Sequence, residues 1–95
     1  YNDKTFGGHA AYTTIAYTDA VALIPKNIDI YEAAAITEGS HYALNIIRAA
    51  NVKKGQKVLV YGATGAIGSA AVQLLAYFGA DVTAVSNTKN LSLVK

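Results

Sequence analysis

Lys57-Val58-Leu59-Val60-Tyr61-Gly62-Ala63-Thr64-Gly65-Ala66-Ile67-Gly68 is the stretch that decides the fold. A short run rich in Val and Leu leads directly into a loop with glycine at positions 62, 65 and 68. The run predicts a strand buried on both faces, as in a parallel sheet. After the loop, Ile67, Ala70, Ala71, Leu74, Leu75 and Phe78 recur at helical spacing, so the spacing predicts a helix with one apolar face. Gly79 ends that helix. Asp81–Val85 predicts the next strand, and Ser86-Asn87-Thr88-Lys89-Asn90 the next loop. Strand, helix, strand in this order is a βαβ unit of an α/β fold with a parallel sheet.

A glycine loop between a buried strand and an amphipathic helix suits a pyrophosphate. The helix start offers free backbone N–H groups and the positive end of the helix dipole. The dinucleotide spacing is G-x-G-x-x-G, and here it reads Ala63-Thr64-Gly65-Ala66-Ile67-Gly68, with alanine for the first glycine. These six residues are the candidate phosphate-binding set. Gly65 lets phosphates approach the backbone, Gly68 lets the helix pack closely on the sheet, and Gly62 relaxes the turn that Ala63 tightens. An ordinary tight turn of another α/β protein is the competing reading, and the strand–loop–helix context favours the dinucleotide. A P-loop is excluded, because no Lys-Ser or Lys-Thr follows the glycines.

The second loop bears on which dinucleotide. A site for NAD places a carboxylate about 20 residues past the glycines, to hold the ribose 2′-hydroxyl. No Asp or Glu occurs from Thr83 to Lys95, and Asp81 is at the wrong end of its strand. Ser86, Asn87, Thr88 and Lys89 supply donors and one cation instead. That set suits a 2′-phosphate, so the expected cofactor is NADP(H), with Ser86, Asn87 and Lys89 as its readers. A plain solvated loop is the alternative.

Upstream, Ala10–Ala16 and Val21–Ile24 predict two strands, the second stopped by Pro25. Residues 1–9 are turn-rich. Asp29 and Glu32 have the spacing of a capping box, opening a short helix that continues through Ala33–Ile36. Gly39-Ser40 reads as a break and a second cap. Tyr42–Ala50 predicts a helix with Ala43, Leu44, Ile46, Ile47 and Ala50 on or near one face. Asn51 to Gln56 is a polar turn.

Composition narrows the function classes. The chain has 95 residues, 53% hydrophobic and only 15% charged, against about 25% charged for an average soluble domain. Such a lean surface predicts that more protein covers part of it. It begins at Tyr1, contains no Met and stops at Lys95 within a helical pattern, so it reads as a fragment. Net charge is +2 with scattered basic residues, which gives no stripe for nucleic acid. Every apolar stretch is interrupted before membrane-spanning length. There is no cysteine, hence no disulfide or thiolate zinc site in this piece, and a reducing, cytoplasmic setting is compatible with that. His9 and His41 lack partners for acid–base work.

Several stretches together resemble the medium-chain dehydrogenase/reductase superfamily, within it the zinc-independent NADPH:quinone reductase branch. They are Glu32–Ile36, Glu38-Gly39, Ala43-Leu44, Val52–Val60 and Gly62–Leu74. Gly8-His9-Ala10-Ala11-Tyr12 resembles that family's Gly-x-Ala-Glu-Tyr strand, with Ala11 for Glu, and Ser86–Asn90 resembles its NADP-type loop. The resemblance implies that residues 1–27 end a GroES-like catalytic domain. Residues 28–95 then begin a doubly wound Rossmann domain. It also implies a small-molecule substrate and a homo-oligomer, a dimer, in the full-length protein. Tyr42 stands where many members have a threonine near the nicotinamide ring, which makes it a candidate cofactor contact or a helix-packing tyrosine. In zinc-using members a cysteine ligand often falls where Glu38 stands; glutamate can bind zinc, so the change weakens the zinc reading without ending it, and no metal ligand is assigned. The expected activity is hydride transfer from NADPH to a quinone, enone or similar electron-poor acceptor. A zinc alcohol dehydrogenase and a non-catalytic nucleotide-binding module are the alternatives.

Overall fold

The computed structural model describes residues 8–94. Its elements are α1 (Ile30–Ala49), β1 (Lys57–Tyr61), α2 (Ala66–Tyr77), β2 (Asp81–Val85), a 3₁₀ turn (Thr88–Asn90) and α3 (Leu91–Val94).

The two strands are parallel and in register from Lys57↔Asp81 to Tyr61↔Val85, with α2 as the crossover. The expected βαβ unit is therefore present. β1 is covered on one face only, not on both as its sequence predicts. Val58 and Val60 pack with Val82, Ala84 and the helices, whereas Leu59 and Tyr61 are 65% and 85% exposed. The cause is architectural: an all-apolar strand needs helices on both sides, and α1 and α2 pack against each other on one side. The core is small, with Ile47 of α1, Val60 of β1, Ala63 of the glycine loop and Leu75 of α2 at its centre. Leu75 is fully buried, which contributes about 1.5–3 kcal/mol.

α1 starts where the sequence predicts. Asp29 accepts from the Tyr31 and Glu32 N–H groups at 2.8 Å each, and Glu32 accepts from the Asp29 N–H at 3.0 Å. The helix then runs unbroken for 20 residues, through the expected break at Gly39-Ser40. Glycine inside a helix costs about 1 kcal/mol relative to alanine, and here its bare backbone permits a contact with α2 that offsets this. Asn51 ends the helix in the left-handed region (φ 52°), donating to the Arg48 carbonyl at 3.0 Å. Gly79 (φ 78°) ends α2 as expected.

The strands expected at Ala10–Ala16 and Val21–Ile24 do not form. A strand exists through its neighbour's hydrogen bonds, and among the described residues none lies alongside. Tyr12, Tyr17 and Leu23 are more than 90% exposed. Short turns mark this stretch instead: Asp19 N–H donates to the Ala16 carbonyl at 2.9 Å, and Ala16 N–H to the Asp19 carboxylate at 3.1 Å. The turn expected at 1–9 lies largely outside the described residues. The helical pattern that runs up to Lys95 is seen, over the described residues, as α3 (Leu91–Val94), and the expected loop before it holds the 3₁₀ turn. No helix among the described residues is long and apolar enough to cross a membrane.

Candidate nucleotide-binding site

Parallel register brings both strands to an end at the same level, so the loops after Tyr61 and Val85 emerge side by side at the carboxyl edge. Open α/β sheets bind ligands at this edge. The loops are also joined. Gly62 and Ala63 N–H both donate to the Val85 carbonyl oxygen, at 3.1 Å each. Ser86 is therefore the next residue after the one that anchors the glycine loop.

Within the glycine loop the residues separate by role. Gly62 has φ 77°, a conformation that favours glycine, and turns the chain out of β1. Ala63 is 1% exposed and its N–H is committed to Val85, so its methyl fills the core where a glycine would leave a gap. Its side chain and its N–H are thus unavailable to a ligand. Gly65 is the N-cap of α2, and no side chain caps the helix. The N–H groups of Ala66, Ile67 and Gly68, in the first turn, have no intrahelical acceptor. No acidic residue occupies that turn. A β-carbon at Gly68 would clash with the Gly62 carbonyl oxygen, so this glycine keeps the helix start against the end of β1. A β-carbon at Gly65 would meet only one atom, at 3.6 Å, so the backbone there is open to approach. Thr64 is half-buried between these two glycines. An uncapped, acid-free helix start with an open glycine backbone fits an anionic diphosphate.

In the second loop Ser86 is half-buried, and its hydroxyl donates to the Asn87 carbonyl at 3.3 Å. Asn87 and Lys89 are exposed, Lys89 in the 3₁₀ turn. No carboxylate stands in this loop. Tyr42 is half-exposed on α1, with its ring edge-on to His41 at 5.8 Å. The His41 Nε2 lies 3.1 Å from the Asn45 amide nitrogen. Among the described residues no group of His, Asp or Glu could hold a metal ion.

Beside the glycine loop lies an open groove of about 630 Å³, walled by Ile46 and Ile47 of α1, Val58 and Val60 of β1, and Ile67 of α2. Its lining holds no ionisable side chain except the Tyr61 phenol, and the glycine loop borders it through Gly62, Gly65 and Gly68.

Sequence reasoning missed two residues here. One is Val85, whose carbonyl ties the loops together, a backbone role with no sequence mark. The other is Gly39, which lies against Ala66, the first residue of α2. The small residues Ala35, Gly39 and Ala43, spaced by four, were the available sign of a close helix contact.

No protein-family model matches the chain. It is 39% identical over 94 residues to a 2-methylene-furan-3-one reductase of Solanum lycopersicum, a match covering 97% of this chain and 24% of that protein. It is 36% identical over 86 residues to a quinone oxidoreductase of Sus scrofa, covering 87% and 25%. Among solved structures it resembles the quinone oxidoreductase of Thermus thermophilus, described also in complex with NADPH. The TM-score is 0.69 at 36% identity, over 75% of this chain and 24% of that one. The chain thus spans about a quarter of the length of these relatives. With a parallel βαβ unit and an uncapped glycine loop, the chain is similar, over about a quarter of their length, to quinone and enone reductases of the medium-chain dehydrogenase/reductase superfamily.

Proposed function

We propose that the chain supplies the phosphate-holding part of an NADPH-dependent reductase that passes hydride to a quinone, an enone or a similar electron-poor small molecule. One observation carries the reading. An uncapped, acid-free N-terminus of α2 stands next to a loop whose polar side chains, Ser86, Asn87 and Lys89, include no carboxylate. The first holds a diphosphate and the second suits a 2′-phosphate. The names of the relatives support the acceptor class: one reduces an enone and another a quinone. The Thermus protein's complex supports NADPH.

Bound NADPH would supply the hydride. The chain's own part is to hold and orient the cofactor through the N–H groups of Ala66, Ile67 and Gly68, with Thr64 and Gly65 alongside. On this reading residues 1–27 end a GroES-like domain and 28–95 open the nucleotide domain. Tyr42, on α1, would lie toward the nicotinamide side. The reading extends to a dimeric full-length protein, supported by the family resemblance. It extends also to a reducing cytoplasmic setting, with which the cysteine-free sequence is compatible.

The test uses the full-length protein. Fluorescence titration should show tighter binding of NADPH than of NADH, and NADPH should be oxidised when a quinone or enone is added. Equal or reversed affinities would remove the role given to Ser86–Lys89. Tight NADPH binding with no turnover of any such acceptor would make this a binding module.

A further inference from the structure

Gly39 is buried in the middle of α1 and faces the first residue of α2. A β-carbon on Gly39 would lie 2.6 Å from the Ala66 carbonyl oxygen and 2.9 Å from its carbonyl carbon. Ordinary contact begins near 3.4 Å, so the two helices would have to part by most of an ångström. The obstacle is backbone, not a side chain that can swing away. Ala66 also carries one of the three free N–H groups at the helix start, and its carbonyl accepts from the Ser69 hydroxyl at 3.3 Å. Moving this peptide therefore moves the donors. The remaining buried residues of α1, Ala43 and Ile47, lie one and two turns further along, and Ile47 belongs to the core cluster.

We propose that Gly39 is a positioning residue for the phosphate-holding loop: the bare backbone of α1 sets where the N-terminus of α2 stands. The inference rests on the dinucleotide reading above. It carries its own signature. The diphosphate is common to NADPH and NADH, so a side chain at 39 weakens both by one factor and leaves their ratio unchanged. Adenosine 2′-phosphate has no diphosphate, and its binding is unaffected.

The experiment compares full-length wild type with Gly39→Ala, Gly39→Ser and Val82→Ala. Dissociation constants for NADPH, NADH and adenosine 2′-phosphate are measured by fluorescence and competition, below the melting transition of every variant. Gly39→Ala should raise both dinucleotide constants about tenfold, since an ångström of misplacement has effects of this order or larger. Gly39→Ser should do so further. Val82→Ala, near the start of β2 and outside the groove beside the glycine loop, should lower the melting temperature yet leave all three constants within about twofold. Unchanged dinucleotide binding in Gly39→Ala overturns the proposal, as does an equal loss in Val82→Ala. If the Gly39 variants do not fold, hydrogen exchange on the wild type decides. NADPH should slow exchange around residues 39–43 together with 66–69, and protection confined to 62–69 overturns the proposal. A wild type that binds neither dinucleotide refutes the cofactor reading itself, a result distinct from any effect of Gly39.

Discussion

Between Gly62 and Gly68 the chain is held by its own backbone; between Ser86 and Asn90 it is held by little. In the first loop, two N–H groups converge on the Val85 carbonyl, Gly65 N–H donates to the Gly62 carbonyl at 3.1 Å, and Gly68 has no room for a β-carbon. In the second, the Ser86 hydroxyl reaches the next carbonyl at 3.3 Å and Asn90 N–H reaches the Asn87 carbonyl at 3.1 Å. Asn87, Thr88 and Lys89 are exposed. The two loops share one edge of the sheet but answer different needs. On the proposed reading, a group common to both dinucleotides, the diphosphate, would be met by fixed backbone donors. The group that distinguishes them, the 2′-phosphate, would be met by side chains that can change without disturbing the fold.

The contrast is most directly broken at Gly68. Gly68→Ala forces a β-carbon against the Gly62 carbonyl, where neither atom can rotate away. Overpacking of this kind costs typically 1–3 kcal/mol, and the backbone contact puts the expected loss at about 3 kcal/mol. Urea unfolding of the full-length protein measures it, and both dinucleotides should bind more weakly. A loss under about 0.5 kcal/mol, the scale of an ordinary surface change, would mean that the loop is not fixed by packing. Gly62→Ala is a milder probe of the same loop. Nothing lies within 4 Å of its β-carbon position, so only the positive φ is strained. About 1–2 kcal/mol of stability should be lost, again with no change in the NADPH-to-NADH ratio.

These differences also explain what the sequence could reveal. The βαβ unit was legible from residues 57–85, because apolar runs, helical spacing and glycine punctuation are local signals. The capping box at Asp29 and Glu32 was legible for the same reason. Gly39 reads as a break in the sequence, since local propensity weighs against glycine in a helix. What it does there, touching Ala66, depends on a residue 27 positions away. In the sequence Ala63 reads as a departure from the phosphate motif, whereas the fold uses its methyl in the core. The two early strands failed for a similar reason. Tyr12, Thr13 and Ile15 carry a strand's composition, but pairing depends on a partner that composition does not supply. Within the site, the candidate loops were found in sequence, while their link through Val85 was a matter of register.

The second loop gives smaller effects with a different signature. Lys89→Ala should leave stability within about 0.5 kcal/mol, since the side chain is exposed. NADPH binding should fall about tenfold, the order expected for one charge-assisted contact, with NADH unchanged. The difference should shrink as salt rises, because exposed charges are screened over about 8 Å at physiological ionic strength. Ser86→Ala should act less. Its hydroxyl is neutral and shared with the Asn87 carbonyl, so its loss removes one ordinary hydrogen bond, about a threefold effect on NADPH. The order of these two effects sharpens the comparison. If Ser86→Ala weakened NADPH more than Lys89→Ala, the second loop would select by the placement of its half-buried end. It would then resemble the glycine loop, anchored through the same Val85, more closely than its exposure suggests.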